Sequence, residues 1–309
     1  MGKKANRAVI CECLMKEAEQ DQDICVVVSD SRGSASLTPF TKAYPKRSIE
    51  VGIAEQDLVG ISAGLANTGK KPYAASPASF LTMRSIEQIK VDVAYSNSNV
   101  KLIGISAGVS YGALGMTHHS LQDIAVLSAI PNMQIIIPAD QHETRKMMAC
   151  LQEDMHPTYI RVSRNPVEDV HEDENFTFEI GKAITLQEGS DLTIIACGDM
   201  VAIAKQAAKE LAKQKLQVRV LNMHTIKPFD TQAVIKAAQE TKAIITMEEH
   251  SIYGGLGAMV CECVSEHCPT RVKVLGIPDE ITISGNAEEL FKYYGLSVEN
   301  VVKIAQELL

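Results

Sequence analysis

Short, continuous runs of apolar and β-branched residues alternate along this chain with stretches of helical spacing, and this alternation limits the possible folds more than any other feature. The runs in the first half are Ile24–Val28, Val100–Ser106, Met133–Ile137 and Thr158–Val162. A spacing of i, i+3, i+7, as on the inner face of a helix, joins Leu58, Ile61 and Leu65, and again Ile86, Ile89 and Val93. Strands that are apolar on both faces are typical of parallel sheets covered by helices. The pattern therefore predicts an α/β fold.

The alternation stops near residue 170 and then begins again. Asn165–Pro166 and the acidic stretch Glu168–Glu174 have the composition of a solvated linker. Further apolar runs follow at Leu192–Cys197, Val218–Leu221, Ala243–Met247 and Val272–Leu275. A length of 309 residues suits two domains. We predict domains at 1–168 and 187–309, each a mostly parallel sheet covered by helices, with a linker at 169–186.

The composition is that of an ordinary soluble protein, with 46% hydrophobic and 22% charged residues. A net charge of −8 argues against a nucleic-acid-binding or membrane-binding surface, so any phosphate has to be bound by a few placed Arg or Lys. Met1–Lys4 lacks the apolar core of a signal peptide, and no run approaches the roughly 18 apolar residues of a membrane span. We expect a cytoplasmic chain. None of the eight cysteines forms a C-x-x-C pair, which favours buried, reduced thiols.

Glu248, Glu249 and His250 are residue types that can bind a metal ion. Adjacent side chains at the end of a strand point in different directions, so these three do not converge on one ion. We expect them to lie in a solvated loop.

The segment most informative about chemistry is Ser48–Asp57. A short strand runs into a glycine turn, and Glu55 then precedes a helix rich in small residues. Taken alone, Glu55 would be a carboxylate stabilised by the helix dipole, an effect of about 0.3–1 kcal/mol. Its meaning therefore depends on the segments that follow.

Those segments, in their order, resemble the pyrimidine-binding domain of the transketolase family. They are Ser79–Leu81, Gly112–His118, Ile130–Pro131, Ile137–Asp140 and Ile160–Arg164. Residues after about 180 resemble the family's C-terminal domain, with Gly198–Val201 early and Glu248–Gly257 later. The resemblance covers nearly all of the chain. It implies a thiamin-diphosphate pyrimidine-binding fold followed by the transketolase C-terminal fold.

The resemblance also implies that the cofactor site is divided between two chains. The family binds the diphosphate through a magnesium site marked by Gly-Asp-Gly and a later Asn, in an N-terminal domain without a counterpart here. The nearest match, Gly198–Met200, lacks the last glycine and lies in the second domain. A partner subunit would then hold the diphosphate and Mg²⁺ (or Ca²⁺), with no metal ligand from this chain. An α2β2 assembly is expected, and the chain alone is expected to be inactive.

Four residues correspond to the family's pyrimidine site. By resemblance, Glu55 holds the pyrimidine ring nitrogen and favours the imino tautomer, and Phe80 stacks on the ring. Where many transketolases have further aromatic residues, this chain has Met83 and Ile86, which implies a partly aliphatic pocket.

Four residues correspond to the family's substrate site. His118 matches the position that contacts substrate oxygen atoms and moves protons during carbon–carbon bond cleavage. Arg7, Ser34 and Arg164 match positions suited to a sugar phosphate. Glu55 and His118 are thus the expected catalytic residues.

Two departures leave the substrate open. Leu114 replaces an Asp that reads a sugar hydroxyl, and Ser106 replaces a His near the phosphate. These replacements argue against ordinary pentose-phosphate specificity and leave a sulfo-sugar, a branched sugar phosphate or another ketose donor open. The alternatives to a transketolase that transfers a two-carbon ketol unit are the beta subunit of a 2-oxo-acid dehydrogenase, a related thiamin-dependent synthase, and a non-catalytic binding protein.

Overall fold

The computed structural model describes residues 3–309. Its first sheet consists of β1 (Ile24–Val28), β2 (Ser48–Glu50), β3 (Lys71–Pro77), β4 (Lys101–Ile105), β5 (Gln134–Ile136), β6 (Thr158–Arg161) and, from the second half of the chain, β10 (Thr225–Lys227). The seven strands lie in the order β10-β5-β6-β4-β3-β1-β2. All neighbours are parallel except β10 and β5, which are antiparallel.

Helices cover both faces of this sheet. They are α1 (Asn6–Glu17), α2 (Thr38–Ala43), α3 (Glu55–Asn67), α4 (Ala78–Arg84), α5 (Ile86–Gln88) with the π-helix Ile89–Tyr95, α6 (Asp123–Ser128) and α7 (Gln141–Glu153). In β1, Val27 shares an apolar cluster with Leu58 of α3, whereas Val26 belongs to a second cluster with Leu14 of α1 and Met147 of α7. Successive strand residues point to opposite faces, so a strand covered on both sides reads as a continuous apolar run.

One predicted helix face is wrong. The buried residues of α3 include Leu58, Val59, Ser62 and Ala63, whereas Ile61 is 40% exposed. At 3.6 residues per turn, Ile61 lies about 60° around the helix from Leu58, whereas Ser62 lies only about 40° from it. Ile61 is therefore at the flank of the buried face, and Ser62 lies closer to Leu58 on that face. The second predicted face is confirmed, since Ile89 and Val93 are buried.

The second sheet consists of β7 (Ile184–Gln187), β8 (Leu192–Ala196), β9 (Val218–Asn222), β11 (Ala243–Ser251) and β12 (Arg271–Ile277). Its order is β12-β11-β8-β9-β7, with only the β7–β9 pair antiparallel among its described neighbours. The helices of this domain are α8 (Met200–Lys213), α9 (Thr231–Glu240), α10 (Leu256–His267), α11 (Ala287–Tyr293) and α12 (Val298–Leu308). The predicted fold class, two α/β domains with mostly parallel sheets, is confirmed.

The two halves of the chain are joined by more than the linker. The edge strand of the first sheet, β10, comes from the second half and pairs with β5 through Thr225 and Lys227. All eight cysteines are free. Among residues 3–309, no helix combines the length and apolar composition needed to cross a membrane.

Candidate active site

Most residues expected to form the site lie at one edge of the first sheet. Ser34 follows β1, Glu55 follows β2, Phe80 follows β3, His118 follows β4 and Arg164 follows β6. The carboxyl ends of parallel strands meet at one edge, where open α/β sheets bind their ligands. Arg7, in the first turn of α1, reaches the same edge and donates from Nε to the carbonyl oxygen of Arg164 at 3.1 Å.

One end of the site consists of Glu55 and Phe80, bridged by Arg84. Glu55 is the first residue of α3, and its side chain is only 4% exposed. Nη1 of Arg84 donates to Oε2 of Glu55 at 3.1 Å, and the guanidinium carbon lies 4.2 Å from the centroid of the Phe80 ring. A buried carboxylate and an aromatic face therefore lie within reach of one flat, hydrogen-bonding group.

His118 connects this end to the rest of the site. Its ring centroid lies 5.0 Å from that of Phe80 and 5.7 Å from that of Tyr111, with edge-on geometry in both pairs. Oγ1 of Thr117 lies 3.0 Å from Nδ1 of His118, so the other ring nitrogen is available for a ligand.

The opposite end of the site is cationic. The guanidinium carbon of Arg164 lies 4.8 Å from the Tyr111 ring centroid, and the Tyr111 hydroxyl donates to Oγ of Ser34 at 3.2 Å. Arg7 donates from Nη1 to the backbone oxygen of Ser34. Burial and the adjacent charge of Arg164 lower the pKa of Arg7. Two guanidinium groups held this close favour an anion that both can bind.

The two expected aliphatic residues lie away from these contacts. The side chain of Met83 is 52% exposed, and Ile86 packs against the apolar core beneath α3. An open pocket of about 510 Å³ beside Glu55 is lined by Ile53–Asp57 and Arg84, and by neither Met83 nor Ile86.

Sequence reasoning missed Arg84 and Tyr111, although both join expected residues. A signal existed for Arg84, because it lies four residues after Phe80 in the same helix and such residues share one face. Tyr111 lies in an irregular loop, where spacing gives no equivalent signal.

The positions of the two departures differ in exposure. Leu114 is 52% exposed, whereas Ser106, just after β4, is buried with a left-handed φ of 55°. Among residues 3–309, the buried hydroxyls of Ser106 and Ser79 are without a hydrogen-bond partner. Buried polar atoms are normally paired, so these two hydroxyls, one of them beside Phe80, suit a polar ligand.

The second domain supports the loop that carries His118. Nδ1 of His119 lies 2.7 Å from Oγ1 of Thr282, so this histidine faces the second domain. The backbone N–H of Gly285 donates to the carbonyl of Gly112 at 3.1 Å. A Cβ at Gly112 would lie 2.1 Å from the carbonyl oxygen of Gly285, so only glycine permits this approach.

The expectation of a solvated loop at Glu248–His250 is wrong. All three residues lie in β11 and are buried, with exposures of 0%, 5% and 0%. Glu248 accepts from the backbone N–H groups of Leu256 and Gly257 at 2.7 and 2.8 Å, and burial raises its pKa to about 7. Glu249 accepts from the N–H of Val109 at 2.6 Å. Glu248 is thus paired at the start of α10, and Glu249 is paired with the first domain. Because these carboxyl groups have hydrogen-bond partners within the protein, they can be buried away from water.

Stability should therefore depend on the ionisation of Glu249. Burial and the charge of Asp199 raise the pKa of Glu249, so the folded chain holds a proton that the unfolded chain releases above about pH 4.3. The free energy of unfolding should fall as pH rises from that value through the folded pKa. In the Glu249→Gln variant, the amide oxygen can still accept from the N–H of Val109, but the side chain cannot ionise. Between pH 5 and pH 8 the free energy of unfolding of this variant should therefore fall by about 1–2 kcal/mol less than that of the wild type. Urea unfolding at both pH values measures this, and equal losses would contradict it.

Two other features of the described chain do not form the site. A groove of about 1000 Å³ lies at the opposite end of the first sheet, lined among others by Glu17, Asp21, Lys71 and Arg145, but it contains none of the expected site residues. Among residues 3–309, no group of three or more His, Cys, Asp or Glu is arranged to hold a metal ion.

The carboxyl edge of a parallel sheet here brings together a buried carboxylate, an aromatic face, a histidine and an arginine pair, an arrangement typical of α/β enzymes. Family comparison agrees with this class. Residues 2–169 match the model of the transketolase pyrimidine-binding domain, and residues 181–301 match that of the transketolase C-terminal domain. The chain belongs to the transketolase family, which implies dependence on thiamin diphosphate.

Its relatives include subunits of divided transketolases. The chain is 51% identical to one subunit of the apulose-4-phosphate transketolase of Phocaeicola vulgatus, over 99% of each chain. It is 37% identical to a 6-deoxy-6-sulfo-D-fructose transketolase subunit of Clostridium sp. MSTE9, over 98% of this chain and 94% of that one. A solved structure described as a split-gene transketolase, inactive beta4 tetramer, is 35% identical, with a TM-score of 0.90 over 100% of this chain and 99% of that one. The chain is thus a transketolase-type subunit.

Proposed function

We propose that this chain is the pyrimidine-binding subunit of a two-subunit transketolase that transfers a two-carbon ketol unit from a ketose phosphate to an aldose. One observation carries the proposal. Glu55, Arg84, Phe80, His118 and Tyr111 form a continuous series of contacts that ends at the cationic cluster of Ser34, Arg7 and Arg164. A cofactor end, a proton-transfer group and a phosphate end are thus arranged in the sequence that the reaction requires.

The residues at the cofactor end fit thiamin diphosphate. The guanidinium of Arg84 lies over the Phe80 ring and donates to Glu55, so the same face and carboxyl suit a planar aminopyrimidine. When bound, the cofactor supplies a nucleophilic carbon that cleaves and re-forms carbon–carbon bonds beside a carbonyl. With the cofactor bound, Glu55 would hold a proton at the pyrimidine ring nitrogen and so would favour the imino tautomer. Its burial makes this hydrogen bond stronger than it would be in water.

At the centre of the site, His118 moves protons to and from the substrate hydroxyl groups. The hydroxyl of Thr117 orients the ring through Nδ1, which leaves Nε2 to face the substrate. Its location between the cofactor end and the cationic end matches the location of a ketose carbonyl whose phosphate is bound by Arg7 and Arg164.

The partner subunit supplies the diphosphate and metal site in this proposal. The chain has no Gly-Asp-Gly match in sequence, and its cationic cluster lies at the substrate end. An α2β2 assembly places this chain's pyrimidine site against the partner. The related beta4 tetramer is described as inactive, which supports a requirement for the other subunit.

The donor we propose is a branched ketose phosphate, with apulose 4-phosphate as the first compound to test. The relative at 51% identity is named for that substrate, and Leu114 provides no hydrogen bond to a hydroxyl read by Asp in other members. Assays of the reconstituted pair should compare apulose 4-phosphate, 6-deoxy-6-sulfofructose, xylulose 5-phosphate and pyruvate. Ketol transfer from a sugar donor supports the proposal, and activity with pyruvate alone would contradict it.

Replacing Arg164 with Met should weaken phosphate recognition selectively. A charge-assisted hydrogen bond is lost, so the KM for the phosphorylated substrate should rise about 10- to 100-fold. The kinetics with hydroxypyruvate and glycolaldehyde, which lack phosphate, should stay near wild type. Arg145→Met, in the groove at the other end of the sheet, is the matched control. An equal loss with phosphorylated and unphosphorylated substrates would contradict this role.

A further inference from the structure

Arg84 contacts both groups that the proposed function gives to the pyrimidine ring. Nη1 donates to Oε2 of Glu55 at 3.1 Å, and the guanidinium lies over the Phe80 ring at 4.2 Å. The ring centroid of His118 lies 5.0 Å from that of Phe80, with the two ring planes inclined at 68°. The Phe80 ring is therefore in contact with a cation over one face and with a histidine as well.

The guanidinium and a stacked pyrimidine compete for the same space and the same carboxyl. A ring stacked on this face of Phe80 needs the volume now filled by the guanidinium, because the guanidinium carbon lies 4.2 Å from the ring centroid, close to the separation of stacked rings. The two groups also bind different protonation states of the Glu55 carboxyl. Arginine has only N–H donors and binds the carboxylate, whereas the pyrimidine ring nitrogen is an acceptor and needs the carboxylic acid.

Arg84 can leave this position without disturbing the core. It is the last residue of α4, and its side chain is 49% exposed, in contrast to the 4% exposure of Glu55. An ion pair with one partner open to solvent is weak, because water can replace the lost contacts. A swing of the long side chain into solvent is therefore available.

We propose that Arg84 is a displaceable competitor of the cofactor, which holds Glu55 and Phe80 until the pyrimidine ring takes both contacts from it. This inference rests on the proposed function, since it needs the pyrimidine to bind at Glu55 and Phe80. It gives a role to a residue that was not among those expected at the site, and it predicts a variant that binds cofactor more tightly than the wild type.

The test measures the Kd of thiamin diphosphate for the reconstituted two-subunit complex with saturating Mg²⁺, by isothermal titration calorimetry. Arg84→Met removes the cation and keeps a flexible helix-forming side chain, and its Kd should be about 5- to 20-fold lower than that of the wild type. Arg84→Lys keeps the positive charge, but an ammonium group has neither the planar shape nor the paired N–H donors of a guanidinium. The Kd of this variant should therefore lie between those of the wild type and Arg84→Met. Arg145→Met controls for the loss of one positive charge.

The outcomes separate this inference from the proposed function. If the wild-type complex binds no cofactor, the proposed function fails. If the wild type binds and Arg84→Met binds equally or more weakly, the function stands and the competitor role of Arg84 is overturned. A structure of the complex with bound cofactor gives a second readout. The guanidinium should have left both Phe80 and Glu55, and its retention at 4.2 and 3.1 Å from them would overturn the inference.

Discussion

Replacing Glu55 with Gln is expected to slow ketol transfer by orders of magnitude while the complex still binds thiamin diphosphate. The amide keeps an oxygen to accept from Arg84 and a similar volume, so the start of α3 should stay folded. It cannot share an acidic proton with the pyrimidine ring nitrogen. Loss of a positioned acid of this kind lowers kcat by about 10²- to 10⁴-fold. Steady-state kinetics and calorimetric cofactor binding with the reconstituted complex measure both parts.

A suitable control for Glu55 is Glu299. It is also an acidic residue in the first turn of a helix, α12, but it is exposed and remote from the site. Glu299→Gln removes the same helix-dipole interaction and should leave kcat near wild type. Activity of Glu55→Gln within a few-fold of that control would show that Glu55 acts only as a helix-terminal carboxylate.

The largest effect on stability is expected at Arg161. This side chain is 5% exposed, donates from Nε to Oδ2 of Asp123 at 2.8 Å, and donates from Nη2 to the carbonyl oxygens of Ser120 and Glu249 at 3.1 and 2.8 Å. It therefore links the loop before α6 in the first domain to β11 in the second. Burial by itself would raise the pKa of Asp123, but the adjacent charge of Arg161 helps to hold this pKa below its usual value, so the carboxylate relies on that neighbour.

Arg161→Met should lower the free energy of unfolding by about 3–5 kcal/mol, because it leaves Asp123 as a buried charge held mainly by the hydroxyl of Tyr159. Urea unfolding followed by circular dichroism measures this, and the transitions of the two domains should also separate. Arg145→Met, whose ion pairs with Glu12 and Glu174 are half-exposed, should lose less than about 1 kcal/mol. A similar loss in both variants would contradict the role of Arg161 between the domains.

Many of the strands could be predicted because a strand that is buried on both faces has a continuous run of apolar residues. Runs such as Ile24–Val28 and Leu192–Cys197 correspond to the strands β1 and β8. The strand β10 could not be predicted, because Thr225–Lys227 is short and pairs with β5, a strand far away in sequence. Short antiparallel edge strands depend on tertiary contacts that local spacing does not contain.

The location of the site could be predicted in part. Once Ser34, Glu55, Phe80, His118 and Arg164 are assigned to strand ends, the rule for parallel sheets brings them to one edge. The contacts through Arg84 and Tyr111 depend on side-chain directions that the sequence does not fix. Glu248–His250 shows the opposite error, since polar residues at a strand end looked solvated and are instead covered by the other domain. The limits 1–168 and 187–309 stay predictions, as do the roles of the individual site residues.

The central claim is that this chain supplies the pyrimidine side of a cofactor site completed by another subunit. A crystal or electron cryo-microscopy structure of the reconstituted complex with thiamin diphosphate and Mg²⁺ tests it most directly. We expect the pyrimidine ring nitrogen within hydrogen-bonding distance, about 2.6–3.2 Å, of the Glu55 carboxyl, the ring on Phe80, and the diphosphate and metal held by the partner. A pyrimidine ring bound away from Glu55, or a diphosphate held by this chain, would contradict the claim.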